Sequence, residues 1–250
     1  KCIRYAYIPT TQVLSLDDNY LIQTTFHSPP IHTQKSIKRG YKVWVRANDN
    51  AFVSEFQINS GKIGQARQKD LGARVVQDLM KGLEGKHHHV YFDSYFTAVA
   101  FVKALQDKGI YVCGTMKRKS VGMPDDSVSV RHMRRGKSEV RSTNSGIAAT
   151  LWKDRKGIIF LSNFHYVIDV SCVTRKKKDG ASENISCPQI VKEYNANMGF
   201  VDKADLLKSL YELDRKSQKW WLWIFWLDVS VISAVILFKE RSLRCGNTQN

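Results

Sequence analysis

"YKVWVRANDNAFVSEF", residues 41–56, decides how the rest of the chain is read. Two runs rich in valine and aromatic residues, YKVWVRA and FVSEFQI, flank Asn48-Asp49-Asn50, so the spacing predicts two strands joined as a hairpin. A buried strand that ends in a carboxylate is a natural place for metal chemistry, because hard cations take oxygen ligands. Here the first residue past the apolar run is Asn48, an amide, and Asp49 comes one position later. The stretch is therefore either a site with one charge missing or a polar turn.

Composition narrows the classes. The chain has 250 residues, 43% hydrophobic and 25% charged, which suits a folded core and excludes a wholly disordered chain. Lys and Arg number 39 against 23 Asp and Glu, a net charge of +16 that favours a polyanion, DNA or RNA, as partner. The positive charge is clustered: Lys117, Arg118 and Lys119; Arg131, Arg134, Arg135 and Lys137; Arg175, Lys176, Lys177 and Lys178. These are candidate phosphate contacts, with solvated loops as the alternative. Five separated cysteines without a CxxC pair suit reduced thiols in a cytosolic or nuclear protein. The chain begins at Lys1 rather than Met, which points to a piece of a longer protein. Residues 220–238, WWLWIFWLDVSVISAVILF, approach the length of a membrane span, but Asp228 in the middle favours a buried helix whose tryptophans pack in a core, and no membrane partner.

Periodicity supplies the elements. Residues 1–39 read as irregular, with Pro9, Pro29 and Pro30 as breakers. Helical spacing over 73–85, a strand over 88–96, a helix over 97–109 with Thr97 as cap and Gly109 as stop, and a strand at IYVCGTM predict a sheet covered by helices. From Lys117 to about Gly146 the sequence is basic and polar, followed by strand-like GIAATLWKD and GIIFLSNF, with a charged turn at Lys153–Lys156 between them. The lysine run with Asp179-Gly180 reads as a loop, and PQIVKEYNANM, DKADLLKSLYELDR and the tryptophan-rich run read as helices. The histidines 87–89 carry little weight as zinc ligands.

Three places bring acids into question: Asn48-Asp49, Asp93 in VYFDSYF, and Asp202 with Asp205 in VDKAD. Asp93 reads as an acid within an apolar strand, costly to bury unless paired or holding a cation. On a helix, positions i and i+3 share a face, so Asp202 and Asp205 can point at one site. Acids from distant segments around divalent cations are the pattern of metal-assisted phosphoryl transfer. On spacing alone, helix-start acids favoured by the dipole and a lysine-paired Asp93 stay open.

Taken together, IKRGYKVWVRA, LGARVVQDL, HHVYFDSYFTAVAFVKALQDKGIYVCGT, WKDRKGIIFLSNFH, ISCPQIVKEYNANMGFVDKADLLKSLYELDRKSQKWW and LDVSVISAVILFKE resemble the transposase domain of the piggyBac family, in family order over about residues 36–240. The resemblance implies an α/β fold, a ribonuclease-H-like mixed sheet flanked by helices with a partly β insertion. It divides the chain into an irregular segment 1–35, core 36–116, insertion 117–185, completing helices 186–240 and a tail 241–250. It implies metal-dependent DNA strand cleavage and transfer with Mg2+, DNA as partner, a homodimer left open, and the nucleus as location. Its acidic positions fall on Asp93 and Asp202, with Asp205 supporting, as catalytic and metal-holding residues. The first acidic position falls on Asn48 where the family reads RAD, with Asp49 as a substitute only if a bulge re-aims it. The family's GGVD is GFVD here, with Phe200 in place of a glycine. These departures imply impaired catalysis; the alternative is a non-catalytic, domesticated DNA-binding or chromatin-associated remnant.

Overall fold

The computed structural model describes residues 13–23, 40–59, 71–123, 130–165, 169–210 and 221–246. In chain order the elements are β1 Val13–Gln23, β2 Gly40–Asn48, β3 Val53–Ile58, α1 Leu71–Leu79, β4 His89–Phe92, α2 Val99–Asp107, β5 Tyr111–Met116, β6 Ser138–Ser142, β7 Ala148–Lys153, β8 Gly157–Ser162, β9 Val170–Lys176, β10 Ser182–Pro188, α3 Gln189–Asn197, α4 Phe200–Leu210 and α5 Trp221–Gly246. They fall into two compact units, residues 1–14 with 70–198 and residues 15–69 with 199–250.

The first unit is built on a mixed five-stranded sheet, ordered β4-β5-β8-β7-β6. β4 and β5 run parallel, with Phe92 opposite Gly114, and the other neighbours are antiparallel. Parallel pairing needs a crossover, and α2 provides it by burying Phe101, Val102 and Leu105. Gly109 takes φ +69° just past the C-cap Lys108, the left-handed turn that lets the chain leave α2 for β5. Tyr91, Cys113, Trp152 and Phe160 form one buried face, against which Val173, Ile185, Cys187, Ile190 and Val191 of the β9–β10 hairpin and α3 pack. Buried Asn163 acts as a sheet clamp: its Oδ1 accepts from Val112 N at 2.7 Å and its Nδ2 donates to Ile110 O at 2.9 Å.

The second unit holds the β2–β3 hairpin, with β1 on the other side of β2, and the helices α4 and α5. Val43 to Ala47 of β2 are all buried, as expected for a strand covered on both faces. Ala51, Ala204, Ile232 and Ile236 form a core under the hairpin turn.

Several expectations need correction. The run 73–85 is helical only to Leu79, because Gly82 and Gly85 take positive φ and wind the chain into turns. The strand expected over 88–96 ends at Phe92, which places Asp93 just past it. Thr97 does not cap α2; the cap is Ala98, without a side-chain hydrogen bond. Strands occur at β1 and β6, where polar residues mask the alternation. Arg175 and Lys176 lie in β9, so only Lys177–Gly180 form the loop.

α5 runs on to Gly246, into the expected tail, and no described helix is long and apolar enough to cross a membrane. Its buried stripe is Phe225, Asp228, Val229, Ile232 and Ile236. Trp223 is 66% exposed and Trp226 49% exposed, so the expectation that the tryptophans fill a core fails for these two. Trp226 covers an edge of Phe56, with ring centroids 4.9 Å apart. Trp220 lies outside the described residues, as does the side chain of Trp221.

Candidate active site and basic surface

The hairpin turn answers the opening question in two parts. Ala51 N donates to Asn48 O at 2.9 Å and Asn48 N to Phe52 O at 3.0 Å, closing a three-residue loop. Ala51 carries the left-handed φ of +73° that this loop requires. Asp49 Oδ1 accepts from Asn50 N, Asn50 Oδ1 accepts from Phe52 N, and Asn50 Nδ2 donates to Glu240 Oε1 at 2.6 Å. Asp49 and Asn50 are thus engaged in holding the turn. Asn48 differs: its Oδ1 is buried and has no hydrogen-bond partner among the described residues.

A bulge does occur, between Arg46 and Ala47, but the pairing shifts from Arg46–Glu55 to Ala47–Val53, so the extra residue is Ser54 on β3. The alternation of β2 itself is unbroken. Arg46 is buried beside the bulge and donates from Nε to Ser54 Oγ at 3.0 Å.

α4 lies beside this turn. Lys203 Nζ donates to Asp49 O at 3.1 Å, and Ala51 packs with Ala204. The second unit therefore brings Asn48 and Asp49 next to the helix that carries Asp202 and Asp205, across more than 150 residues of sequence. Asp202 is exposed in the first turn of α4, while half-buried Asp205 stands 3.9 Å from the ammonium of buried Lys208. Phe200, at the glycine position, is buried at the start of the same helix. Sequence reasoning missed Arg46, Lys203 and Lys208, whose only signal was a basic residue beside each acidic motif.

These residues test the Mg2+ implied by the resemblance. Asn48 Oδ1 offers a buried oxygen without a donor, which fits the oxygen chemistry of a magnesium ligand but supplies no charge. Asp202 lies in the first turn of the adjoining helix, next to Lys203, whose ammonium donates to Asp49 O, so the side-chain contact that α4 makes with this turn brings a cation rather than a further carboxylate. Among the described residues no three His, Cys, Asp or Glu side chains are grouped to hold a metal.

Asp93 belongs to the first unit, one residue past β4. Its Oδ1 accepts from Tyr95 N at 2.8 Å, and its backbone oxygen accepts from Thr97 Oγ1 at 2.8 Å and Phe96 N at 3.2 Å.

The same unit holds a hydrogen-bonded chain that the sequence did not single out. Ser162 Oγ accepts from Phe164 N and His165 N, so its own proton goes to His165 Nδ1 at 2.9 Å. His165 then donates from Nε2 to Glu193 Oε2 at 2.8 Å, and Gln189 donates to Glu193 Oε1. Burial lowers His165 below the usual histidine value despite Glu193. At neutral pH the contact is therefore an imidazole–carboxylate hydrogen bond, although its geometry would also suit an ion pair. For Glu193, burial raises the pKa but hydrogen bonds from Gln189 and His165 outweigh it and hold it low. Both folded values lie below the unfolded ones, so the unfolded chain binds more protons as pH falls. Stability is expected to be full above about pH 6.5 and to drop on acidification, first through His165 and then through Glu193. His165→Asn should flatten the upper part of that decline in thermal melts at about pH 7 and pH 5; an unchanged decline would refute the assignment. The neighbouring histidines pack with rings: His87 and His89 against Tyr111, and His89 against Phe164 as well.

The basic clusters divide. Lys117, Arg118, Lys119, Arg134, Lys176, Lys177 and Lys178 are exposed. Arg135 instead binds Asp154 at 2.7 Å and Glu183 at 2.9 Å, and Arg175 binds Asp154 at 3.1 Å. Asp154, in the charged turn, is largely covered; burial raises its pKa, but hydrogen bonds from Arg135 and Arg175 outweigh it and hold the carboxyl low. Arg155 also donates to Lys176 O, so segments around 135, 155 and 176 share one side of the first unit.

Comparison with known proteins agrees with this architecture. Human PiggyBac transposable element-derived protein 3 is 27% identical over 197 residues, covering 75% of this chain and 33% of that protein. Human PiggyBac transposable element-derived protein 2 is 25% identical over 205 residues, covering 78% of this chain and 34% of that protein. The chain thus spans about a third of the length of these relatives. A cryo-EM structure of a piggyBac transposase synaptic complex with hairpin DNA superposes with a TM-score of 0.79 at 19% identity, over 95% of this chain and 48% of that one. With the profile described as Transposase IS4 matching residues 3–235, the chain belongs to the piggyBac-type transposase family.

Proposed function

We propose that this chain is the core of a piggyBac-type DNA transposase whose metal-dependent strand cleavage and transfer is impaired at Asn48. The observation that carries the reading is the buried Asn48 Oδ1, without a hydrogen-bond partner among the described residues, beside the helix bearing Asp202. An acceptor in that condition is costly unless something meets it. Asp93 and Asp202 would hold Mg2+, with Asp205 in support; when bound, the cation would activate the attacking oxygen and stabilise the leaving one. The chain's own part is to hold these oxygens in place, and at position 48 it offers an amide where the family has an acid. Residues 117–185 are read as the insertion, and the nucleus as the location.

The amide also favours a second reading, a domesticated DNA-binding remnant without catalysis. A nicking assay on supercoiled DNA with Mg2+ separates the two: detectable cleavage lost on Asp93→Ala supports the first, and DNA binding without cleavage, unchanged by restoring the acid, supports the second.

Both readings use DNA as partner, supported by the net charge and by the exposed basic side chains. Replacing Lys177 and Lys178 by Ala should lower the slope of log affinity against log salt by about one for each phosphate that is no longer neutralised. Arg135→Ala should act chiefly on stability, since that side chain is engaged by Asp154 and Glu183. Filter binding across a salt series, beside thermal melts, checks both, and an unchanged slope for the lysine pair would remove it from the surface.

A further inference from the structure

We propose that Thr97 and Gly114 are positioning residues for Asp93, with the Thr97 hydroxyl fixing the turn that aims the carboxylate and Gly114 leaving the space for it. The inference rests on the reading of Asp93 as a site acid.

Between the end of β4 and the start of α2 the chain has six residues in which to reverse direction. Asp93 organises that turn: its backbone oxygen takes the Phe96 N–H and the Thr97 hydroxyl, and its Oδ1 takes the Tyr95 N–H. The carboxylate is therefore oriented by the same short loop that its own main chain anchors, an Asx turn closed by a threonine.

Two observations set Thr97 apart from an ordinary loop hydroxyl. It is buried, at 8% exposure, and it stands one residue before Ala98, the N-cap of a helix without a side-chain cap. Threonine is a favoured capping residue, yet this hydroxyl is turned to Asp93 O. Gly114 is the partner of Phe92 in the β4–β5 pairing. A Cβ there would meet Thr97 Oγ1 and lie 2.8 and 2.9 Å from carbons of the Phe92 ring. The glycine is needed for space on the side where the hydroxyl crosses to Asp93.

The test uses Thr97→Val, which keeps the shape and removes the donor, Thr97→Ser, which keeps the donor, and Gly114→Ala, each in the whole chain. The readout is hydrogen exchange of the Tyr95 amide, because that N–H reports where the carboxylate points. Thr97→Val and Gly114→Ala should speed Tyr95 exchange about tenfold, the scale of one missing hydrogen bond, while β4 amides stay protected and Thr97→Ser keeps the parent rate. Tyr95 exchange at the parent rate in Thr97→Val would overturn the proposal. A second readout adds Thr97→Val to the Asn48→Asp variant: the Mg2+ concentration for half-maximal nicking should rise several-fold and return with Thr97→Ser. If Asn48→Asp itself shows no cleavage, the reading of Asp93 as a site acid falls, and the Tyr95 exchange still decides whether Thr97 and Gly114 set its orientation.

Discussion

Asn48→Asp is expected to raise Mg2+-dependent nicking of DNA by about 10²-fold or more, the scale on which one fixed electrostatic contact to a transition state acts. The reason is local. Asn48 Oδ1 is buried at the end of β2 with no donor among the described residues, so a carboxylate there would meet no hydrogen bond that neutralises it. Without a cation, the variant should lose roughly 1–3 kcal/mol of stability, the cost of a buried unsatisfied polar group, and more as the charge is less solvated. Saturating Mg2+ should stabilise the variant by about 2.7 kcal/mol at a hundredfold excess over the dissociation constant, an amount comparable to that loss. The parent should show little response to Mg2+. A variant that neither cuts nor melts higher with Mg2+ would remove position 48 from the chemistry.

Trp152→Ala should be the most destabilising single change in the first unit. Trp152 is fully buried at the centre of the face shared with the β9–β10 hairpin and α3, and its Nε1 donates to Ser186 O at 2.9 Å. Emptying such a site costs about 3–5 kcal/mol for a large aromatic residue. Because Val173, Ile185 and Cys187 rest in the same cluster, the hairpin should loosen first. Urea titration should give the loss in free energy, and hydrogen exchange should show β9 and β10 amides opening before β4 and β5. Trp152→Phe, which keeps most of the volume, should recover at least half of the loss. A deficit below about 1 kcal/mol for the alanine variant would mean that other residues anchor the hairpin.

How far the sequence could be read depended on whether the deciding interactions were local. The β4–α2–β5 unit was legible because apolar runs of two different periods alternate there and Gly109 marks the helix end. β6 was missed because four of its five residues, Ser138–Ser142, are polar and none is fully buried at the edge of the sheet. The acids were legible as types at family positions, whereas their surroundings were not. That Arg135 with Arg175 is engaged by Asp154, and that Lys203 reaches Asp49 O, follows from contacts that no spacing rule contains, whereas the Asp205–Lys208 approach at i and i+3 was open to one.

The sequence by itself determined the family, the alternation of strands and helices, and the absence of a charge at position 48, since each is carried by residue identity and near-neighbour order. Tertiary structure alone decided which side chains are free to act. Whether a carboxylate or guanidinium faces a ligand or a neighbour depends on groups brought beside it from far along the chain, as Lys203 is brought to Asp49 O and Gly114 to the Thr97 hydroxyl that meets Asp93 O.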